Sequence, residues 1–210
     1  MTGALAGLVC FALPADAQPI EGHALGPSGA YTEIRLMSPV TGDRTLAGVL
    51  LGAEGNTSWW RLELDVDYRQ GRVRRSGPVS EGADVRVGQA LLGVSVLPWI
   101  TVQAGPRLLQ TDASEGHRRS LRWQVGASVS APLVPGWIHG FGSAVGSVAG
   151  SGLEPRFYTG RGGIGVGLTV TTPGLPVWAR AGYRMDREGG SVGPRSVETI
   201  HFALGVRVGP

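Results

Sequence analysis

The chain has 210 residues, of which 35 are glycine, 14 are proline and 42% are hydrophobic, and its net charge is +3. This much apolar surface excludes an intrinsically disordered chain, and glycines without a three-residue period exclude collagen. A helical bundle is excluded because each interior glycine costs a helix about 0.8–1.0 kcal/mol relative to alanine. All 19 basic residues are arginines, spread along the chain rather than gathered in a stripe, so no nucleic-acid binding is expected. The composition predicts an all-β protein.

The chain begins with an apolar leader. Residues 3–13 are apolar, and an Ala-Asp-Ala pattern follows at residues 15–17. Residues 1–17 therefore resemble a bacterial secretory signal peptide, cleaved after the second of these alanines. The single cysteine, Cys10, lies inside this leader, so no disulfide and no thiolate metal site are expected in the mature chain. Residues 18–29 are expected to form an N-terminal segment.

Residues 30–37 and 45–53 have weakly polarised faces and are predicted to form a hairpin, which residues 54–56 connect to the next strand. That next strand, over residues 58–69, has the clearest pattern in the chain, because apolar and polar side chains alternate with a strict period of two. Its apolar face carries Trp60, Leu62, Leu64, Val66 and Tyr68, and its other face carries Trp59, Arg61, Glu63, Asp65, Asp67 and Arg69.

The same alternation recurs to the end of the chain. It is clear in residues 120–131, 158–170, 177–186 and 198–208, and less regular in residues 83–97, 99–110 and 137–148. With the first hairpin these segments make ten strands, and without it eight. Short Pro-rich turns alternate with long polar connections, among them residues 70–82 and 111–119. In an antiparallel meander this places all short turns at one end and all long loops at the other.

Strict alternation does not show which face of a strand meets water. Three features favour a membrane barrel over a soluble one. The alternating runs of nine to thirteen residues match the ~9–11 residues that a tilted transmembrane strand needs. Aromatic residues, which form interfacial belts, lie near the ends of apolar faces. The opposite face mixes charged residues with glycine. The predicted membrane-interface aromatics are Trp60, Tyr68, Trp123, Tyr158 and Tyr183.

With this pattern, residues 30–208 resemble the small bacterial outer-membrane β-barrel proteins of the OmpA, OmpX and OmpW type. The resemblance implies a single antiparallel up-and-down transmembrane β-barrel of 8 to 10 strands, built by residues 30–210. It also implies export to the bacterial outer membrane, where lipid surrounds the barrel and the long loops are free to meet a surface ligand.

The polar face is then predicted to line the lumen. The side chains placed there are Arg61, Glu63, Asp65, Asp67, Arg122, Gln124, Arg161, Arg180, Arg184, Asp186, Glu198, His201 and Arg207. Mutual ion pairing among them predicts a plugged lumen and a structural or surface-interaction role. The alternative is a narrow pore, which would favour anions because arginines outnumber the acids.

Two further classes compete with this reading. A lipid A-modifying enzyme would draw on His117, which lies near Ser114, Glu115 and Ser120, but such a polar loop arises easily by chance because triads are set by geometry rather than by spacing. A soluble exported β-barrel that binds a ligand inside is the other class. No metal-ligand spacing is present, so we expect no enzymatic activity and no cofactor.

Overall fold

The computed structural model describes residues 22–36, 44–75, 82–113, 116–148, 157–188 and 195–208. They form ten strands: β1 (Gly22–Leu36), β2 (Arg44–Trp59), β3 (Leu62–Arg75), β4 (Gly82–Leu97), β5 (Ile100–Ala113), β6 (Gly116–Val134), β7 (Ile138–Val148), β8 (Phe157–Thr171), β9 (Val177–Glu188) and β10 (Arg195–Val208). The leader predicted at residues 1–17 lies outside the described residues. Among the residues that are described, there is no helix with the length and apolar character needed to span a membrane.

Every strand pairs antiparallel with its neighbour in sequence, and β1 pairs with β10 to close the barrel. The predicted all-β, up-and-down barrel is confirmed, and of the two strand counts the structure has ten. Short turns join β2 to β3, β4 to β5, β6 to β7 and β8 to β9, so they all lie at one end. We call this the short-turn end, and the opposite end the long-loop end.

The first hairpin is longer than the sequence pattern indicates. β1 begins at Gly22 rather than at Ala30, and β2 runs to Trp59. Residues 54–56, which were expected to connect two strands, instead pair along β3 opposite residues 65–67. Their polar side chains suggested a loop, but polar residues are what an inward-facing strand position carries in this barrel.

The β2–β3 turn consists of Trp60 and Arg61. Trp60 adopts a φ of 53°, in the left-handed region that is unusual for a bulky residue, and the Arg61 guanidinium lies 5.7 Å from the centroid of its ring. Arg61 was expected to line the lumen. The structure places it in this exposed turn, because the run predicted as one strand over residues 58–69 is divided here: β2 ends at Trp59 and β3 begins at Leu62.

The predicted loop at residues 70–82 is also largely strand, because β3 continues to Arg75 and β4 begins at Gly82. Beyond Tyr68 the two faces exchange their character: Val73 points inward and is fully buried, while Arg72 and Arg74 are exposed outside. Inward-facing apolar residues of this region form one cluster, the upper apolar cluster, which comprises Ile34, Leu50, Val73, Ala83, Val85, Leu109 and Val197. The long-loop end of the barrel therefore has the polarity of a water-soluble barrel.

Nearer the short-turn end the outer surface is apolar. The exposed outward residues of this apolar belt include Leu62, Leu64, Val66, Leu92, Val94, Ile164, Val166, Leu168, Val170, Phe202, Leu204 and Val206. Of the predicted interface aromatics, Tyr68, Trp123 and Tyr183 are exposed on the outer face and Trp60 is exposed in its turn, while the side chain of Tyr158 lies outside the described residues. Trp59, Trp99 and Trp137 add exposed aromatics at the short-turn end.

Glycine allows adjacent strands to approach closely inside this narrow barrel. A Cβ at the inward-facing Gly52 would overlap the Tyr68 carbonyl oxygen, whereas a Cβ at Gly29 would meet its nearest atom, on Leu51, at 3.5 Å. We expect Gly52→Ala to lower the free energy of unfolding by about 1–3 kcal/mol through overpacking, and Gly29→Ala to leave it within about 0.5 kcal/mol. Urea unfolding of both variants, followed by tryptophan fluorescence, measures the two changes. Equal effects would show that β2 and β3 can separate freely at Gly52.

Candidate functional site

The inward-facing side chains make the lumen the candidate site, and they divide it along the barrel axis. The upper apolar cluster occupies the long-loop end on the side of β1 to β5 and β10. Charged side chains form the next level, the charged layer, and a larger cavity reaches from the short-turn end past this layer. The lumen is therefore neither a uniform polar channel nor a uniform core.

One charged network joins β2, β3 and β9. The Arg69 guanidinium lies 3.1 Å from Glu54 and 3.1 Å from Asp67, and its Nε donates to the Ser28 hydroxyl at 3.2 Å. Arg180 reaches the same Glu54 carboxylate at 3.2 Å. Two guanidiniums thus neutralise two carboxylates, which satisfies charges that water reaches poorly.

A second network centres on Asp186, of which 2% is exposed. Its carboxylate accepts hydrogen bonds from Arg107 at 2.6 Å and from Arg184 at 3.0 Å. Arg184 also donates through Nη1 to the Gln89 side chain at 3.1 Å. The short charge-assisted bonds indicate strong pairing.

The second network crosses the lumen, whereas the first joins β9 to β2 over the intervening β10 and β1. Four strands separate β9 from β4 in either direction around the barrel, so the bond from Arg184 to Gln89 spans the full diameter. Asp186 on β9 likewise meets Arg107 across the intervening β6, β7 and β8. A small void of about 10 Å³ remains beside these groups, lined in part by Arg122 and Gln124, which is room for about one water molecule.

The lumen also contains a cavity of about 750 Å³, which we call the vestibule, and its lining runs from the short-turn end past the charged layer to Leu50 and Val197 of the upper apolar cluster. Its walls include Pro98 and Trp99 of the β4–β5 turn and Pro135 and Gly136 of the β6–β7 turn, so it reaches the short-turn end. Most of its wall positions are polar or aromatic. They include Glu63, Asp65, Phe141, His139, Arg180 and Arg207.

Most of the predicted lumen residues line either this cavity or the small void. Glu63, Asp65, Asp67, Arg180, Arg184, Asp186, His201 and Arg207 line the vestibule, and Arg122 and Gln124 line the void. Arg61 lies in the turn, and the side chain of Arg161 is outside the described residues. Glu198 belongs to the outer face, where it accepts a hydrogen bond from the Tyr183 hydroxyl at 3.1 Å. Its assignment to the lumen is wrong, because it lies two residues before the outward Ile200 and therefore shares that residue's face.

Sequence reasoning missed several lumen residues that complete the networks. Glu54 was assigned to a connection, and Arg107 to a strand too irregular to give it a face. A signal for Arg107 was present, because Thr101, Gln103 and Gly105 precede it at alternate positions opposite an apolar face. Trp178 is buried inside the lumen, and its alternation with Arg180 and Arg184 on β9 is the signal that indicates this inward position.

The residues considered for catalysis lie at the long-loop end. His117 is the second residue of β6, and its ring nitrogen contacts the Asp112 carboxylate. A hydrogen bond from Gln110, with a further contribution from His117, lowers the pKa of Asp112 below its usual value. Ser114 and Glu115 lie outside the described residues, and Ser120 lines the small void inside the barrel, whereas the His117 side chain is exposed.

Known protein families and curated proteins contain no match to this chain. Among solved structures, Neisserial surface protein A is similar with 17% identity, 90% of this chain and 97% of that chain covered, and a TM-score of 0.40. The translocator domain of the autotransporter NalP from Neisseria meningitidis has 17% identity, 91% coverage of both chains and a TM-score of 0.44. Ail, the attachment invasion locus protein of Yersinia pestis, has 14% identity, coverage of 90% and 99%, and a TM-score of 0.38. At such low identities and TM-scores no function is transferred from these proteins.

Proposed function

We propose that this chain is an integral β-barrel protein of the bacterial outer membrane, with a lumen closed by its own side chains and a structural or surface-interaction role. The observation that carries the proposal is the pairing of an apolar outer belt with a charged interior. A soluble barrel has the opposite arrangement. The apolar belt would contact outer-membrane lipid, and the long loops would be available to a surface ligand.

The polarity exchange beyond Tyr68 supports the same placement. A strand that leaves the bilayer no longer meets lipid, so its outer face should become charged while its inner face can become apolar. Arg72 and Arg74 outside and Val73 inside follow this rule. The aromatic side chains of Tyr68 and Tyr183 then mark the outer edge of the belt, where amphipathic rings are favoured.

The test places a charge in the centre of the belt. Val166 lies in the outward run Ile164, Val166, Leu168 and Val170, and 59% of it is exposed. In a bilayer we expect Val166→Arg to lower the free energy of unfolding by about 2–4 kcal/mol, because an arginine near the midplane is poorly solvated. Urea titration of the protein refolded into phosphatidylcholine liposomes measures this change.

Gln70→Arg, an exposed outward position beyond Tyr68, is the matched control and should stay within about 0.5 kcal/mol. If Val166→Arg changed the free energy of unfolding as little as the control does, the outer belt would face water. The same would follow if the protein stayed monomeric and folded in buffer without detergent. The proposal would then give way to the soluble barrel.

The closed lumen predicts an electrically silent protein. With the charged layer bonded across the full diameter, we expect no channel steps in planar bilayers at any applied voltage that the membrane tolerates. Steady unitary currents that prefer anions would establish the pore alternative instead. The measurement is independent of the liposome experiment, because a membrane barrel can be open or closed.

A further inference from the structure

The vestibule contains opposite charges that the protein leaves without salt-bridge partners. Glu63 and Asp65 both face it from β3, and one amide nitrogen, Asn56 Nδ2, donates to the two carboxylates at 2.8 and 2.7 Å. Within the described ranges neither carboxylate has a guanidinium at salt-bridge distance, since the nearby Arg180 is paired with Glu54. This amide donates one hydrogen bond to each carboxylate but does not neutralise the charge of either.

The opposite charge lies on β10. Arg207 lines the vestibule, and among the described side chains no carboxylate is within salt-bridge distance of it. Its backbone nitrogen is held by the Pro176 carbonyl at 2.6 Å, which fixes this strand end against the β8–β9 turn. His139, which lies near Arg207 on β7, adds another donor to this side of the cavity.

Across the lumen from the β1–β2 wall that separates these charges, strands β4, β5, β6 and β8 offer hydrogen-bonding groups rather than a continuous apolar surface. Hydroxyl groups line the vestibule at Ser95, Thr101, Ser128, Ser130, Thr169 and Thr171. Its volume of about 750 Å³ falls in the range of about 300–1,000 Å³ that is typical of small-molecule sites. Pro98, Trp99, Pro135 and Gly136 line its lower end, so a solute enters and leaves through the short-turn end.

We propose that the vestibule binds a short peptide with free termini. Glu63 and Asp65 would hold its ammonium group, Arg207 its carboxylate, and the hydroxyl side chains its amides. β1 and β2 separate β3 from β10, so the two charged sites are three strand spacings of about 4.8 Å apart along the wall. An extended tripeptide is about 10 Å long. The side chains of Glu63, Asp65 and Arg207 extend inward from the wall and cover the remaining distance. The inference goes beyond the proposed membrane role and rests on the charges of the vestibule wall.

Tri-L-alanine is the probe, and its N-acetylated, C-amidated form is the matched control ligand. Calorimetric titration of the full chain refolded in detergent micelles should show saturable binding of tri-L-alanine at millimolar concentration. Binding of the capped form should be at least tenfold weaker, because capping removes both charges. No binding of tri-L-alanine, or equal binding of the two forms, would overturn the proposal without any variant being made.

Variants then locate the two charged sites. Arg207→Gln and the double variant Glu63→Gln, Asp65→Asn should each weaken binding at least tenfold, whereas Arg35→Gln on the outer face should leave it unchanged. Retained wild-type affinity in both vestibule variants would reject the assignment. The two proposals fail in different experiments. If tri-L-alanine does not bind and the protein conducts no current, only the ligand proposal is rejected. If channel currents appear, the closed lumen is rejected.

Discussion

Replacing Val85 with aspartate should reduce the free energy of unfolding by about 3–5 kcal/mol, the range observed when a buried charge has no partner. Val85 is fully buried within the upper apolar cluster, and its inward-facing neighbours on β4 are Ala83 and Val87. These neighbours cannot donate a hydrogen bond from their side chains, and of the register partners Gly71 and Thr111 only the Thr111 hydroxyl could donate one, which cancels no charge. The new carboxylate must therefore stay neutral or draw water into the cluster, and both outcomes weaken the folded state.

Thr45→Asp is the control for this variant. Thr45 lies on β2 at the long-loop end, is exposed on the outer face, and has nearly the same shape as valine, so its change should stay within about 0.5 kcal/mol. Urea unfolding in liposomes gives both values. If Val85→Asp cost no more than the control, water would already fill the upper lumen, and the closure of that end would have to rest on the charged layer alone.

The upper apolar cluster also shows why sequence alternation described part of this barrel well and part of it poorly. Alternation identified the inward faces of β3 and β9 where the outer surface is apolar, and Glu63, Asp65, Asp67, Arg180 and Arg184 all line the vestibule. The same reasoning treated every charged run as loop or lumen. It failed beyond Tyr68, because the outer face meets water there and carries the charged residues.

The partners inside the lumen were beyond the reach of local patterns. Arg107 and Asp186 are 79 residues apart in sequence, and 95 residues separate Gln89 from Arg184. Alternation places such residues on an inner face, but it does not say which strands lie opposite each other or how far a strand is shifted along its neighbour. The crossing contacts depend on both, since closure of ten strands brings β4 opposite β9.

Loss of the Asp186 carboxylate should be the most damaging change in the charged layer. Asp186→Ala leaves Arg107 and Arg184 facing each other without an anion between them, and we expect a loss of about 3–5 kcal/mol in the free energy of unfolding. Arg107→Ala should cost less, because Arg184 still neutralises the remaining carboxylate at 3.0 Å. The order of the two losses follows from Asp186 being shared by two guanidiniums.

A double-mutant cycle measures how much of this loss belongs to the buried pair itself, with Arg72 and Asp84 as the matched exposed pair. The exposed partners lie 3.8 Å apart with more than half of each side chain accessible, so their coupling should be at most about 1 kcal/mol and should fall with added salt. The buried pair, at 2.6 Å, should couple more strongly and resist salt, because little solvent screens it. Equal coupling energies in the two cycles would show that water enters the charged layer freely, and a layer of that kind could not seal the lumen.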